Sequence, residues 1–279
     1  MEIVSTAPAL EAYRLSLISE EKSGATIEKY LRDARAFCDF AGGASVTKEL
    51  VIRYKESIRS VYAVASVNSM LASVNHFLAY FGMGECRVRQ LKHQRRVFCD
   101  AGRELSRQEY LRLIETAKEC GNERLALVLQ TICSTGIRVS ELACITVEAA
   151  QRGRATVTLK GKTREVLLPK KLCRRLLAYV RKRNVTRGAV FQTRSGKALD
   201  RSNIWREMKS LCKSAGVDPG KVFPHNLRHL FARCYYELKK DIAKLADILG
   251  HSSIETTRIY LISSGAQHER TLDRLDLVA

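Results

Sequence analysis

The sequence predicts a mainly α-helical protein of two domains, with a single β-hairpin inside the second. Three observations carry that expectation. Apolar residues recur at helical spacing through most of the chain, as in Ile27, Tyr30, Leu31, Ala34 and Phe37. Strand signals are confined to RATVTLK and REVLLP, with only GKT between them, which reads as a hairpin. The helical period lapses across residues 85–103, where Lys and Arg replace the apolar repeat. With 279 residues and 46% apolar content, the chain is long enough to bury two cores.

Taken in order, residues 1–84 read as a small all-helical domain. PALEAYRLSLISEE is its first helix, and ATIEKYLRDARAFCDFAGG follows Ser23 and Gly24 and stops at Gly42 and Gly43. Thr47 is placed to cap KELVIRYKESI, and ASVNSMLASVNHFLAYFG closes at Gly82. Charge in this part is nearly balanced, so it would grip a partner by shape. Residues 85–103 read as a basic linker. From 104 to 279 helices resume: SRQEYLRLIETAKECG and NERLALVLQTICSTG precede the hairpin. KKLCRRLLAYVRKRN, SNIWREMKSLCKSAG, PHNLRHLFARCYYELKK and IAKLADILG follow it.

Net charge is +19 and its distribution is uneven. Residues 151–213 hold nineteen Lys and Arg against Glu165, Asp200 and Glu207, a surplus of +16 that leaves +3 for everything else. So concentrated an excess implies a polyanionic partner, nucleic acid first. The nine cysteines are scattered without a CxxC pair, which fits reduced core residues in a cytoplasmic protein. There is no zinc-ligand spacing, no apolar run near membrane-spanning length and no signal-peptide pattern. Neither a metal nor a membrane is expected.

Chemistry concentrates in a few places. Arg138 stands in TGIRVSEL, and Lys160 and Lys162 flank the glycine of LKGKTRE. His225 and Arg228 share PHNLRH, His251 follows the glycine of LGHSS, and Tyr260 comes nine residues later. Arginine suits a phosphate because its planar fork pairs bidentately and never deprotonates. His225 and Arg228 lie three apart on one helix, so they project from one face, and Pro224 would start that helix. Gly250 would end the preceding helix, with Ser252 or Ser253 capping the segment that bears Tyr260. Taken singly, each has a plain structural reading. Arg138 could be a salt-bridge partner of Glu141, HxxRH a surface helix, and Tyr260 a core residue. Together they supply cations for a phosphate, proton carriers and a hydroxyl.

This order and spacing resemble the tyrosine recombinase, or phage integrase, family in its short two-domain Xer-like form. The resemblance covers nearly the whole chain. It implies a C-shaped clamp around DNA, with a helical, SAM-like core-binding domain and a catalytic domain. It also implies a site-specific recombinase that cleaves and rejoins strands through a 3′-phosphotyrosyl intermediate, to integrate, excise or resolve DNA, without metal, ATP or other cofactor. Carried over by motif, Tyr260 is the nucleophile and His225 assists its proton transfer. Arg138 and Arg228 clamp the phosphate, His251 donates to a phosphate oxygen, and Glu141 orients the site. Lys160 protonates the leaving oxygen. The hairpin is about a residue shorter than the family's, so Lys162 stays an alternative; Lys160 is favoured because it closes strand VTLK. His229 matches a variable position and is given no catalytic role.

Arg95, Arg96, Lys162, Arg164 and Arg201 are the expected DNA contacts. No extra domain precedes Pro8, so binding to separate arm sites is not expected. The implied assembly is a homotetramer on two duplexes, with the tail's Ile262, Leu272, Leu275 and Leu277 exchanged between protomers. Accessory DNA-bending proteins are left open. Two other readings share these residues. A type IB topoisomerase-like nicking and closing enzyme would relax unrelated plasmids. A DNA-binding protein with a decayed site is disfavoured by the presence of all six chemical positions.

Overall fold

The computed structural model describes residues 7–92, 101–159, 162–193 and 196–261, with residue 273. The chain divides into two compact units, residues 1–95 and 96–279. It is mostly helical, with one two-stranded antiparallel sheet. No helix among the described residues is long and apolar enough to cross a membrane.

The first unit holds α1 (Ala7–Ser19), α2 (Gly24–Ala41), α3 (Lys48–Arg59) and α4 (Val64–Tyr80). Ser23 and Thr47 accept from the Thr26 and Leu50 amides at the starts of α2 and α3, and Gly42 ends α2 in the left-handed region. The buried stripes meet in one core. Tyr13 lies edge-on to Phe77 at 5.1 Å between centroids, and Phe37 to Tyr54 at 5.2 Å. The buried Asp33 carboxylate is held by Lys29 (2.8 Å), Arg32 (3.1 Å) and the Ser73 hydroxyl (2.9 Å), which offsets its desolvation.

The start of the expected linker is bound to this unit. The Asn75 amide group accepts from Val88 N–H at 3.0 Å and donates to Val88 C=O at 2.8 Å. Asn68 does the same for Leu91, at 2.7 and 3.0 Å. Each side-chain amide thus stands in for a neighbouring strand, and Val88 is buried. The helical period lapses here because the chain is extended and pinned by side chains. Arg95 and Arg96 lie outside the described residues.

The second unit is built on α6 (Glu123–Thr135), whose Leu125, Leu129 and Ile132 are buried. Around it pack α5 (Arg107–Glu119), α8 (Lys170–Lys182), α9 (Arg201–Ala215) and α10 (Pro224–Lys239). A 3-10 segment, Val139–Cys144, leaves α6, and α7 (Val147–Arg152) leads into the sheet. Helix α7 is not among the elements expected above, since six residues are too few for a period to show. Strands β1 (Arg154–Leu159) and β2 (Lys162–Leu167) pair with Leu159 opposite Lys162 and Arg154 opposite Leu167. Ala155, Val157 and Val166 turn one face into the core. The chain ends its described part with α11 (Ile242–Leu249), α12 (Ile254–Arg258) and a 3-10 turn, Ile259–Leu261.

Candidate active site

Pro224 opens α10, where its missing N–H costs nothing. His225 is exposed in the first turn, and Arg228, three residues on, is only 1% exposed. A guanidinium buried this deeply needs acceptors on every side. It donates to the Gly136 carbonyl, to the Leu249 carbonyl at 2.7 Å and to His251 Nε2 at 2.9 Å. Nε of Arg228 is buried with no hydrogen-bond partner among the described residues. Burial, then the nearby Arg138 charge, lowers the Arg228 pKa, yet a guanidinium stays protonated at neutral pH. Gly136 ends α6 at φ 66° and packs tightly against α10 and α11. A Cβ there would stand 2.5 Å from Phe231 and 2.8 Å from Leu249.

The bonds of His251 fix its tautomer. Arg228 donates to Nε2, so Nε2 carries no proton and Nδ1–H donates to Thr257 Oγ1 at 2.8 Å. Burial, followed by the charges of Arg228, Arg138 and Arg164, pushes the His251 pKa down to about 4. The imidazole is neutral at physiological pH. Gly250, left-handed at φ 66°, ends α11 and turns the chain into it.

Glu141, 2% exposed, joins two arginines. Its Oε1 accepts from Arg138 Nη1 at 3.0 Å, and its Oε2 accepts from the Arg138 amide at 2.8 Å and from Arg164 Nη2 at 2.7 Å. Arg138 keeps 35% of its side chain exposed and so is open to solvent. Arg164 differs. Expected at the DNA, it points inward instead, because Glu141 and the Ile248 carbonyl (2.9 Å) hold both ends of its guanidinium.

Ser253 caps α12 by accepting from the Glu255 amide, and the next turn carries Tyr260. Tyr260 is 6% exposed and packs with Ala232, Leu245 and Leu249. Its ring centroid lies 4.2 Å from that of His229 and 5.3 Å from those of His225 and His251. The Arg228 guanidinium is 5.9 Å from the Tyr260 ring. Although His225 reaches solvent, the protein packed around its ring desolvates it, and this, then the charges of Arg228, Arg138 and Arg201, lowers its pKa. Burial and then His225 push His229 down to about 4. Arg138, Glu141, His225, Arg228, His251 and Tyr260 therefore meet in one place, although the chain separates the first and last by over a hundred residues.

Lys160 lies outside the described residues, as do Ile262, Leu272, Leu275 and Leu277. Lys162 begins β2, and its side chain is likewise outside them. Arg201 is exposed at the first turn of α9. His229, given no catalytic role from the sequence, lies one helical turn beyond His225 and packs its ring on Tyr260. Among the described residues no three His, Cys, Asp or Glu side chains gather as metal ligands do.

The sequence profile of the phage integrase family matches residues 103–266, more than half of the chain. The chain belongs to the phage integrase family. All six converging residues fall inside the matched part. Among similar curated relatives, tyrosine recombinase XerA of Pyrococcus furiosus is 28% identical over 278 residues, spanning 96% of this chain and 94% of the relative. Tyrosine recombinase XerD of Chlamydia trachomatis is 36% identical over 145 residues, 49% of this chain and 48% of the relative. Among solved structures, XerH bound to its difH substrate superposes with a TM-score of 0.69 at 17% identity, covering 91% of this chain and 80% of that one. A lambda integrase tetramer bound to a Holliday junction gives 0.74 at 17% identity, covering 93% and 77%. These structures establish the integrase fold.

Proposed function

We propose that this integrase-family chain is a site-specific DNA recombinase whose nucleophile is Tyr260. The observation that carries the reading is the convergence of Arg138, Arg228, His225 and His251 on one tyrosine, within the matched region. In the forward step the Tyr260 oxygen bonds to the scissile phosphorus while the bond from phosphorus to the 5′ oxygen breaks. The phenol proton passes to His225, and Lys160, or Lys162, protonates the departing 5′ oxygen. Reversal with a different 5′ hydroxyl rejoins the strand, and the phosphotyrosyl ester conserves the bond energy, so no ATP is needed.

The electrostatics support those roles. A phenol with an ordinary pKa of about 10 needs a base to attack at neutral pH, and a histidine whose pKa is held low is unprotonated and ready. Arg138 is partly exposed and Arg228 stands beside the Tyr260 ring, so both cations lie where a phosphate would meet the tyrosine. Such preorganised cations stabilise charge as it develops. His251 accepts from Arg228 and thereby orients it. A phosphate beside the ring raises the imidazole's proton affinity and turns it into a donor.

The partner is double-stranded DNA, drawn by the basic surplus of residues 151–213. We read residues 1–84 as the core-binding domain, 85–103 as its connection and 104–279 as the catalytic domain. The working assembly is a tetramer on two duplexes in the cytoplasm. The deciding experiment first maps where the protein binds in its native genome. The recovered site is then offered as a labelled, nicked duplex to the wild type and to Tyr260→Phe. The wild type should yield a covalent protein–DNA adduct that survives denaturation, and Tyr260→Phe none. An adduct with Tyr260→Phe would show that another residue attacks.

A further inference from the structure

We propose that Arg164 is a positioning residue of the cleavage site, acting through Glu141 on Arg138 and through the end of α11 on His251; this rests on the recombinase reading above. Most of the described basic residues in its stretch of sequence, 151–213, are exposed. Arg164 has 17% of its side chain exposed, and both ends of its guanidinium are bonded to protein.

The first consequence is electrostatic. Arg138 and Glu141 alone form a neutral pair, in which the carboxylate draws the guanidinium's charge away from an incoming phosphate. Arg164 Nη2, 2.7 Å from Glu141 Oε2, turns the pair into a cluster of net charge +1. Arg138 then keeps its attraction for the phosphate while Glu141 still fixes its direction. The second consequence is geometric. The last carbonyls of a helix lack intrahelical partners. Here Arg164 takes Ile248 C=O at 2.9 Å and Arg228 takes Leu249 C=O at 2.7 Å. Two cations thus hold successive carbonyls at the negative end of α11, two residues before His251.

Gly250 is the third observation. A Cβ on it would stand 2.4 Å from Arg164 Cδ and 2.6 Å from Nε. The glycine that turns the chain toward His251 also leaves the passage through which Arg164 reaches Glu141. A lysine at position 164 would supply one compact ammonium in place of a planar fork, and could not serve both acceptors with the same geometry.

The test uses the full chain and the nicked duplex recovered above. Cleavage is compared on the ordinary phosphodiester and on a methylphosphonate at the scissile position, where a methyl group replaces one charged oxygen. Neutralising that oxygen removes the charge that Arg138 offsets. Arg164→Ala should slow cleavage of the phosphodiester about 100-fold, the scale of losing one preorganised charge. On the methylphosphonate its deficit should shrink to about fivefold or less, in parallel with Arg138→Ala, while DNA affinity stays within about threefold. Arg164→Lys should recover only part of the rate. Gly250→Ala should show the same dependence on substrate charge, and it keeps the comparison open if Arg164→Ala does not fold. Equal slowing on both substrates would reduce Arg164 to a packing role and overturn the proposal. If Arg138→Ala itself gains nothing on the neutral substrate, the phosphate-clamp reading of Arg138 fails and this proposal falls with it.

Discussion

Replacing Gly136 with alanine probes the junction that presents Arg228. The glycine ends α6 at φ 66°, and its carbonyl accepts from Arg228. An added Cβ would lie 2.5 and 2.7 Å from Phe231 ring carbons and 2.8 Å from a Leu249 methyl. Two costs add. Holding alanine in the left-handed region costs about 1–2 kcal/mol, and overpacking against a ring and a methyl that cannot both retreat costs about 1–3 kcal/mol. The second unit should therefore lose about 2–5 kcal/mol. Gly153→Ala is the matched control, because Gly153 has φ 74° with nothing within 4 Å, so it carries the backbone cost alone. Urea unfolding followed by fluorescence reads this cleanly. The chain has a single tryptophan, Trp205 on α9, so the signal belongs to the second unit. If the two variants differ by less than about 0.5 kcal/mol, Phe231 and Leu249 yield freely and the close-packing argument is wrong.

The remaining predictions concern protons and the first unit. His229 and His251 hold pKa values of about 4 against 6.5 unfolded, so between those values the unfolded chain binds more protons. Their contribution to stability is full well above pH 6.5 and falls as the pH drops toward 4, by up to about 2 kcal/mol for His229 by pH 5 and by distinctly less for the more exposed, solvent-screened His251. The urea midpoint of the second unit should drop accordingly between pH 6.5 and 5; a flat midpoint would mean that neither imidazole is held neutral by the fold. Asn75→Ala should destabilise the first unit by about 1–3 kcal/mol, because it strips both partners from Val88. Asn68→Ala should speed hydrogen exchange at the Leu91 amide by at least about tenfold, with the Trp205 transition unmoved; slow exchange in the variant would refute the clamp.

Local chemistry was legible in the sequence, and long-range pairing was not. Thr47, Gly42, Pro224 and Gly250 announce helix ends because caps act within a few residues. The hairpin shows because its alternating strands sit next to each other in the chain. The motifs named the residues that meet at the site, since each is recognisable in its own short stretch. The bonding of Arg164 could not be read there, because its partner Glu141 lies 23 residues back and belongs to another element. Within a basic stretch, nothing local separates a buried arginine from a surface one. The pinned segment at Val88 and Leu91 escaped for a related reason: its partners are asparagine side chains on α4, which leave no periodic trace.

The bonds of Arg228 make completion of the fold a condition for chemistry. One guanidinium reaches the end of α6, the end of α11 and the ring of His251, while Tyr260 packs beside it from the turn after α12. None of these segments is a neighbour of α6 in sequence, so no short stretch of chain contains the constellation. An unfolded or partly folded polypeptide carries every reactive group yet presents no organised centre until α6, α10, α11 and α12 have all docked. For a DNA recombinase, that is an interlock: an organised centre appears only in molecules whose second unit has finished folding.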